Sequence, residues 1–314
     1  MFRLPLDLGP LRHLKAIGYG GADICFFASG IGCFYSLSSE ADMIRFMKRR
    51  LKRILPTYLV FMVVWLTYQY VTHNFGIRMA IGNLLGIQNF TGRGREFNWY
   101  ISAMFLFYIL APYFKRIAGE ATPVRKLLFL CFLPVASIHF WNAQVYIITV
   151  SRLPIIYIGM LFAHMCQENR KISVRHVIGM IVMFILGAIS IVVSRIFASS
   201  YLWSCALYCY PFILITPPLC IAVSCVAMLL EKTKATKPIV SFLSLCGNYS
   251  FELYLIHILL ISCISALIKK WELFQIRYLV WAAGGVLLVA GCFMLRRFTV
   301  LLNGLFMKFR KQED

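Results

Sequence analysis

Residues 177–198 read VIGMIVMFILGAISIVVSRIFA, with one charged side chain, Arg195, near the end. A run of this length and character is what a helix needs to cross the hydrocarbon of a bilayer, about 20 apolar residues. Working outward, eight further stretches read the same way: 17–37, 54–70, 98–114, 127–141, 145–165, 202–230, 251–268 and 278–295. The stretch 127–141 is the shortest. Pro211, Pro217 and Pro218 predict a break in 202–230, tolerable where the freed backbone groups are buried in protein. Ahead of 251–268 lies PIVSFLSLCGNYS, apolar but punctuated by Gly247 and Asn248, which reads as an interfacial or re-entrant piece.

The whole composition agrees. Of 314 residues, 61% are hydrophobic and 14% charged, and the mean hydropathy is +0.77. Soluble domains run at roughly 45–50% apolar and about 25% charged. A water-soluble chain of this size would expose apolar patches far larger than monomers tolerate. The expected fold is an all-α, polytopic integral-membrane helical bundle of about nine transmembrane helices. Neither a linker nor an internal repeat divides it, so residues 1–314 read as a single domain.

A formal charge of +20 suggests nucleic acid in a soluble protein, but here its distribution explains it. With the first span running outside to inside, the cytoplasmic segments are 38–53, 115–126, 166–176, 231–237 and the tail after 295. They hold 21 Lys and Arg against 9 on the other side. That asymmetry is the positive-inside signature, so the charge reports topology and no nucleic-acid partner is expected. Of the eleven cysteines, Cys25, Cys131, Cys205, Cys220, Cys225, Cys263 and Cys292 fall inside apolar runs and read as small core residues. No CxxC or Cys/His metal spacing occurs, and no metal site is expected. The first fifteen residues, with Pro5, Asp7, Pro10 and three basic side chains, do not read as a cleavable signal. An outside N-terminus is awkward without one, and a further helix ahead of residue 1 would cure it.

Two constellations carry candidate chemistry. Arg45, Lys48, Arg49, Arg50, Lys52 and Arg53 form a basic run between the first two spans. It reads either as an anchor for anionic headgroups of membrane lipid or as a phosphate clamp. In the clamp, Arg50 and Arg53 at i, i+3 share a helix face and grip an anionic coenzyme, with Arg49 beside them. The second set is the ionisable residues inside spans: Asp23, Arg152, Glu252 and His257. Such residues are costly at the bilayer centre and face a bundle interior or a wet cavity. Asp23 and Arg152 could neutralise each other as a buried pair. Arg152 precedes Pro154 and Gly159 in SRLPIIYIGM, so an irregular backbone accompanies its charge. His257 reads more readily as a hydrogen-bonded packing residue than as a base, and Glu252 as an interfacial one. Trp99 and Tyr100 open a span where an aromatic belt is expected. GxSxG, Walker A, HExxH and GxGxxG are all absent, which removes support for hydrolase, ATPase, zinc-protease and dinucleotide chemistry.

Five segments in order, GGADICFFASGIGCFYSL, FMKRRLKRILPTYLV, NWYISAMFLFYILAPYF, SRLPIIYIGM and LCGNYSFELYLIH, resemble successive landmarks of the acyltransferase 3 family of membrane acyltransferases. The resemblance is strongest over residues 17–268. It implies acyl, above all acetyl, transfer from cytoplasmic acyl-CoA (acetyl-CoA) to a hydroxyl of an extracytoplasmic sugar or lipid-linked glycan. The setting implied is the bacterial plasma membrane, with no permanently bound cofactor. Arg50-Leu51-Lys52-Arg53 matches the RxxR motif that the family connects to the CoA donor. Asp23, Ser29 and Gly30 match its second-helix segment, and Arg152 with Pro154 its mid-chain segment.

There are departures. The family's first helix carries an Arg or Lys and, about eleven residues later, a His taken as catalytic, and this chain starts too late to contain it. His13, ten residues before Asp23, is the candidate nearest that place. The Glu that many members have after the landmark Trp is missing, with Ala103 and Met104 in that stretch. The sites expected are therefore Arg152, Asp23 and His13 for catalysis and Arg50, Arg53 and Arg49 for the donor, with weak turnover by the chain as it stands. The rival expectations are a truncated or inactive member of the same fold and a glycan or lipid transporter.

Overall fold

The computed structural model describes residues 20–39, 42–91, 98–140, 144–169, 173–196 and 207–313. His13 lies outside them. Every regular element among the described residues is helical. In order they are α1 (Gly20–Ser39), α2 (Met43–Val71), α3 (Ile77–Leu84), α4 (Gln88–Thr91), α5 (Trp99–Glu120), α6 (Pro123–Ile138), α7 (Gln144–Val150), α8 (Leu153–Gln167), α9 (Val174–Ile196), α10 (Pro211–Glu231), α11 (Lys237–Asn248), α12 (Ser250–Lys270) and α13 (Arg277–Glu313). They form an all-α polytopic bundle, grouped in two compact units. Of the described residues, the larger takes in those from Gly20 to Lys48 and from Leu85 to Leu229, and the smaller Arg49–Leu84 and those from Leu230 on.

In the larger unit α1 is the central strut. Asp23, Phe26, Phe27, Gly30, Cys33, Phe34 and Leu37 recur at helical spacing and are buried. One side of this face meets α8 in parallel register: Asp23 lies against Arg152, Gly30 against Gly159, and the Phe34 ring 5.8 Å from that of His164. Another meets α5, also parallel, with the Phe26 ring 4.9 Å from Tyr100 near the start and Lys115 donating to the Leu37 carbonyl at 2.9 Å near the end.

The register decides a point that length leaves open. Among the described residues eight helices are long and apolar enough to cross a bilayer. The 127–141 stretch folds as α6, whose 16 residues span only about 24 Å. Since α5 and α8 both run parallel to α1, the chain between them must return, and α6 is the helix that carries it. Thr122 caps its start, accepting from the Arg125 amide with Pro123 in the first turn, and Phe129 packs back on Phe114 at 5.5 Å. At its far end Ser137 hydrogen-bonds the Tyr210 hydroxyl at 2.5 Å. With α6 added to those eight, nine helices among the described residues are candidates to cross.

The proline-rich seventh stretch behaves differently from its prediction. A 3₁₀ turn at Leu207–Cys209 precedes Pro211, which opens α10, and the helix then continues through Pro217 and Pro218 to Glu231. Only Pro211 marks a break, at a helix start where its missing N–H costs nothing. Both later prolines are buried in protein, where a freed carbonyl is shielded from lipid. The cysteine reading holds in part: Cys292 is buried and Cys25, Cys220 and Cys263 half-buried, but Cys131 and Cys225 lie exposed on apolar helix faces.

In the smaller unit α12 and α13 form an antiparallel pair. Gly291 sits against Ile256, the Tyr249 and Phe293 rings are 4.8 Å apart, and Arg296 lies 4.4 Å over the Tyr249 ring. The Tyr58 hydroxyl of α2 donates to the Asn83 carbonyl of α3. His257 bonds through Nδ1 to the Leu253 carbonyl one turn back at 2.9 Å, the packing role expected for it. Glu252 is buried in the first turn of α12, near one end of its span.

Candidate active site

Pro154 creates the site locally. It has no N–H to give the Val150 carbonyl four residues back, and at this proline the helix breaks. α7 ends at Val150 and α8 begins at Leu153, leaving Ser151 and Arg152 in the turn between them. Arg152 has φ −101° and ψ −4°, and its side chain goes inward, 2% exposed.

There it is surrounded. Its Nε donates to Asp23 Oδ1 at 2.7 Å, and Asp23 is fully buried. Its Nη1 donates to the Ile148 carbonyl at 2.7 Å and to Cys209 Sγ at 3.3 Å, and the guanidinium carbon lies 4.9 Å from the Trp99 ring centre. Two charges taken this far from water are tolerable only as a hydrogen-bonded pair. Asp23 is nonetheless not saturated: Oδ2 is buried without a hydrogen-bond partner, and so is Thr149 Oγ1 of α7. A guanidinium with its charge held in place, beside a carboxylate oxygen with a free lone pair, can hold a hydroxyl and steady negative charge developing on a neighbouring oxygen.

Asp23 and Arg152, 129 residues apart, are thus brought together. Trp99 is more than a belt residue, since it covers the guanidinium and packs edge-on to Phe26. Cys209 is a site neighbour that sequence reasoning passed over; only its buried place beside Arg152 identifies it. Ala103 and Met104 are both buried and apolar. Ser29 is half-buried on α1.

The basic run lies on α2. Arg50 is half-buried, Arg49 and Arg53 are exposed, and Arg50 and Arg53 are three residues apart on one helical turn. Arg45, earlier on the same helix, pairs with Asp42 at 3.4 Å. Arg49, Arg50 and Arg53 belong to the smaller unit, Asp23 and Arg152 to the larger.

No curated protein and no solved structure matches the chain. A family model described as an acyltransferase domain matches residues 3–297, taking in the ion pair, the turn at Pro154 and the basic face of α2. On that coverage the chain belongs to the acyltransferase 3 family of multi-pass membrane proteins.

Proposed function

We propose that the protein transfers an acyl group, acetyl in the first instance, from acyl-CoA to a hydroxyl of an extracytoplasmic sugar or glycan, and works in the plasma membrane. The observation that carries this reading is the Asp23–Arg152 pair with its unused carboxylate oxygen. It sits where α1, α5 and α8 all begin, the end opposite the basic segments 38–53, 115–126 and 166–176. By the positive-inside rule that end faces outward, toward an extracytoplasmic acceptor.

The chemistry is attack of the acceptor oxygen on the thioester carbonyl. The C–O bond forms, the C–S bond breaks, the hydroxyl proton goes to a base and the CoA sulfur leaves as the thiol. Asp23 Oδ2 accepts the hydrogen bond of the incoming hydroxyl, and Arg152 supplies the positive field for the carbonyl oxygen. Arg50 and Arg53, flanked by Arg49, hold the phosphates of the donor from the cytoplasmic side. The base remains His13 in this scheme, a positioned base being worth about 10²–10⁴-fold.

The test is thiol release from acetyl-CoA by purified protein in the presence of membrane glycan, with thermal unfolding followed in parallel. Asp23→Asn keeps the shape of the pair and should fold. Lost turnover in a folded Asp23→Asn protein supports the scheme; unchanged turnover reduces the pair to a structural tie.

A further inference from the structure

We infer that α11 lies in the plane of the membrane surface as an anionic-phospholipid binding helix. Its apolar side enters the acyl region, and Lys232, Lys234 and Lys237 meet the headgroups. This is independent of the acyl-transfer reading.

Two faces of α11 differ sharply. At 100° per residue Ile239, Phe242, Leu243 and Cys246 fall on one side, and Ser241, Ser244 and Asn248 on the opposite one. No residue of α11 is buried, and Ile239, Phe242 and Leu243 are 52%, 63% and 51% exposed. Among the described residues, therefore, none covers the apolar face. The chain says what does: α10 and α12, the spans on either side, end at Glu231 and begin at Ser250, so α11 and its lead-in stay at one membrane face.

Depth follows from Arg296. In α13 it stands beside Arg297, and a pair of guanidiniums belongs at the headgroup level rather than the bilayer centre. Arg296 donates to the carbonyl of Asn248, the last residue of α11, at 3.1 Å. That carbonyl is one of those a helix end leaves without a partner. The contact ties the end of α11 to that charged level. At the other end Lys232, Lys234 and Lys237 are exposed, and among the described residues none forms an ion pair. Lysines beside an apolar stripe in the interface are the complement of acidic headgroups, each worth roughly fivefold in local binding.

The full chain, reconstituted in phosphatidylcholine vesicles with or without phosphatidylglycerol, tests this with photoreactive benzoylphenylalanine at Phe242 or at Ser241. Mass spectrometry should find phospholipid adducts at 242 and few at 241, with phosphatidylglycerol enriched several-fold over its share of the bilayer. Replacing the three lysines together (Lys232→Gln, Lys234→Gln, Lys237→Gln) should remove the enrichment and leave the adduct. Equal lipid adducts at both positions would mean an immersed helix. Adducts at 242 to a second copy of the chain would mean a protein interface. Adducts without phosphatidylglycerol enrichment, or enrichment abolished by added CoA, would take the lysines away from lipid. Each of these overturns the inference.

Discussion

Gly30 of α1 and Gly159 of α8 touch backbone to backbone. A methyl group placed on either would stand 3.3 Å from the Cα of the other and closer still to the Ile156 or Phe27 carbonyl. Seven residues before each glycine comes one half of the buried pair, Asp23 on α1 and Arg152 ahead of α8. Seven residues are two helical turns, so the glycine contact and the ion pair lie along one seam. Lipid tails offer helices no hydrophobic reason to meet, and small residues that let backbones close in supply the packing instead.

Gly159→Ala and Gly30→Ala should therefore each destabilise the protein by about 1–3 kcal/mol, the range for overpacking. Gly21, on the same helix with nothing within 4 Å, is the control. Gly21→Ala should be neutral or stabilising, since alanine is the better helix former by about 1 kcal/mol. Thermal unfolding in detergent reads all three. Similar midpoints for Gly21→Ala and Gly159→Ala would remove the seam as a determinant of the fold.

Removing one partner of the ion pair should cost more. Arg152→Met leaves Asp23 as an uncompensated buried charge, with a penalty of about 3–5 kcal/mol. The double change Asp23→Leu with Arg152→Met should recover most of that stability and none of the turnover. Recovery of turnover in the double variant would contradict the role proposed for the pair.

The crossing count is open to labelling. New cysteines at Ser39 and Lys234 should resist an impermeant thiol reagent added to intact cells, whereas one at His139, just beyond α6, should react. If His139→Cys and Ser39→Cys label from the same side, α6 does not cross.

Donor binding separates clamp from anchor. Arg50→Ala and Arg53→Ala should each weaken acyl-CoA binding roughly tenfold or more, as expected for losing a charge-assisted hydrogen bond of about 1.5–3 kcal/mol. Lys48→Ala should matter less, and lysine at 50 or 53 should rescue only part, because the planar guanidinium fits phosphate bidentately. Binding of acyl-CoA to purified protein measures this. Small, equal effects from all three alanine variants would favour the headgroup anchor.

Much of the site was legible because charge inside an apolar run is conspicuous. Asp23 and Arg152 stand out on that ground alone, and Pro154 announces the irregular backbone that turns Arg152 inward. Trp99 and Cys209 did not stand out. An aromatic at the head of a span and a thiol in an apolar stretch look the same whether they face lipid or a guanidinium. The prolines of α10 misled for a related reason: a proline removes one hydrogen bond wherever it stands, but surrounding protein decides whether the helix bends or continues.

The apolar runs by themselves determined that this chain crosses a membrane many times and approximately where. A span must satisfy its own backbone and offer lipid an apolar surface, and both are properties of about twenty consecutive residues. The family, too, was readable from the order of its landmarks. Tertiary structure alone decided that Asp23 pairs with Arg152, that α6 packs back between α5 and α8, and that Arg296 ties the end of α11 to α13. Each depends on which helices lie side by side and in which direction, and that is chosen by close contacts such as Gly30 with Gly159, between residues more than a hundred positions apart.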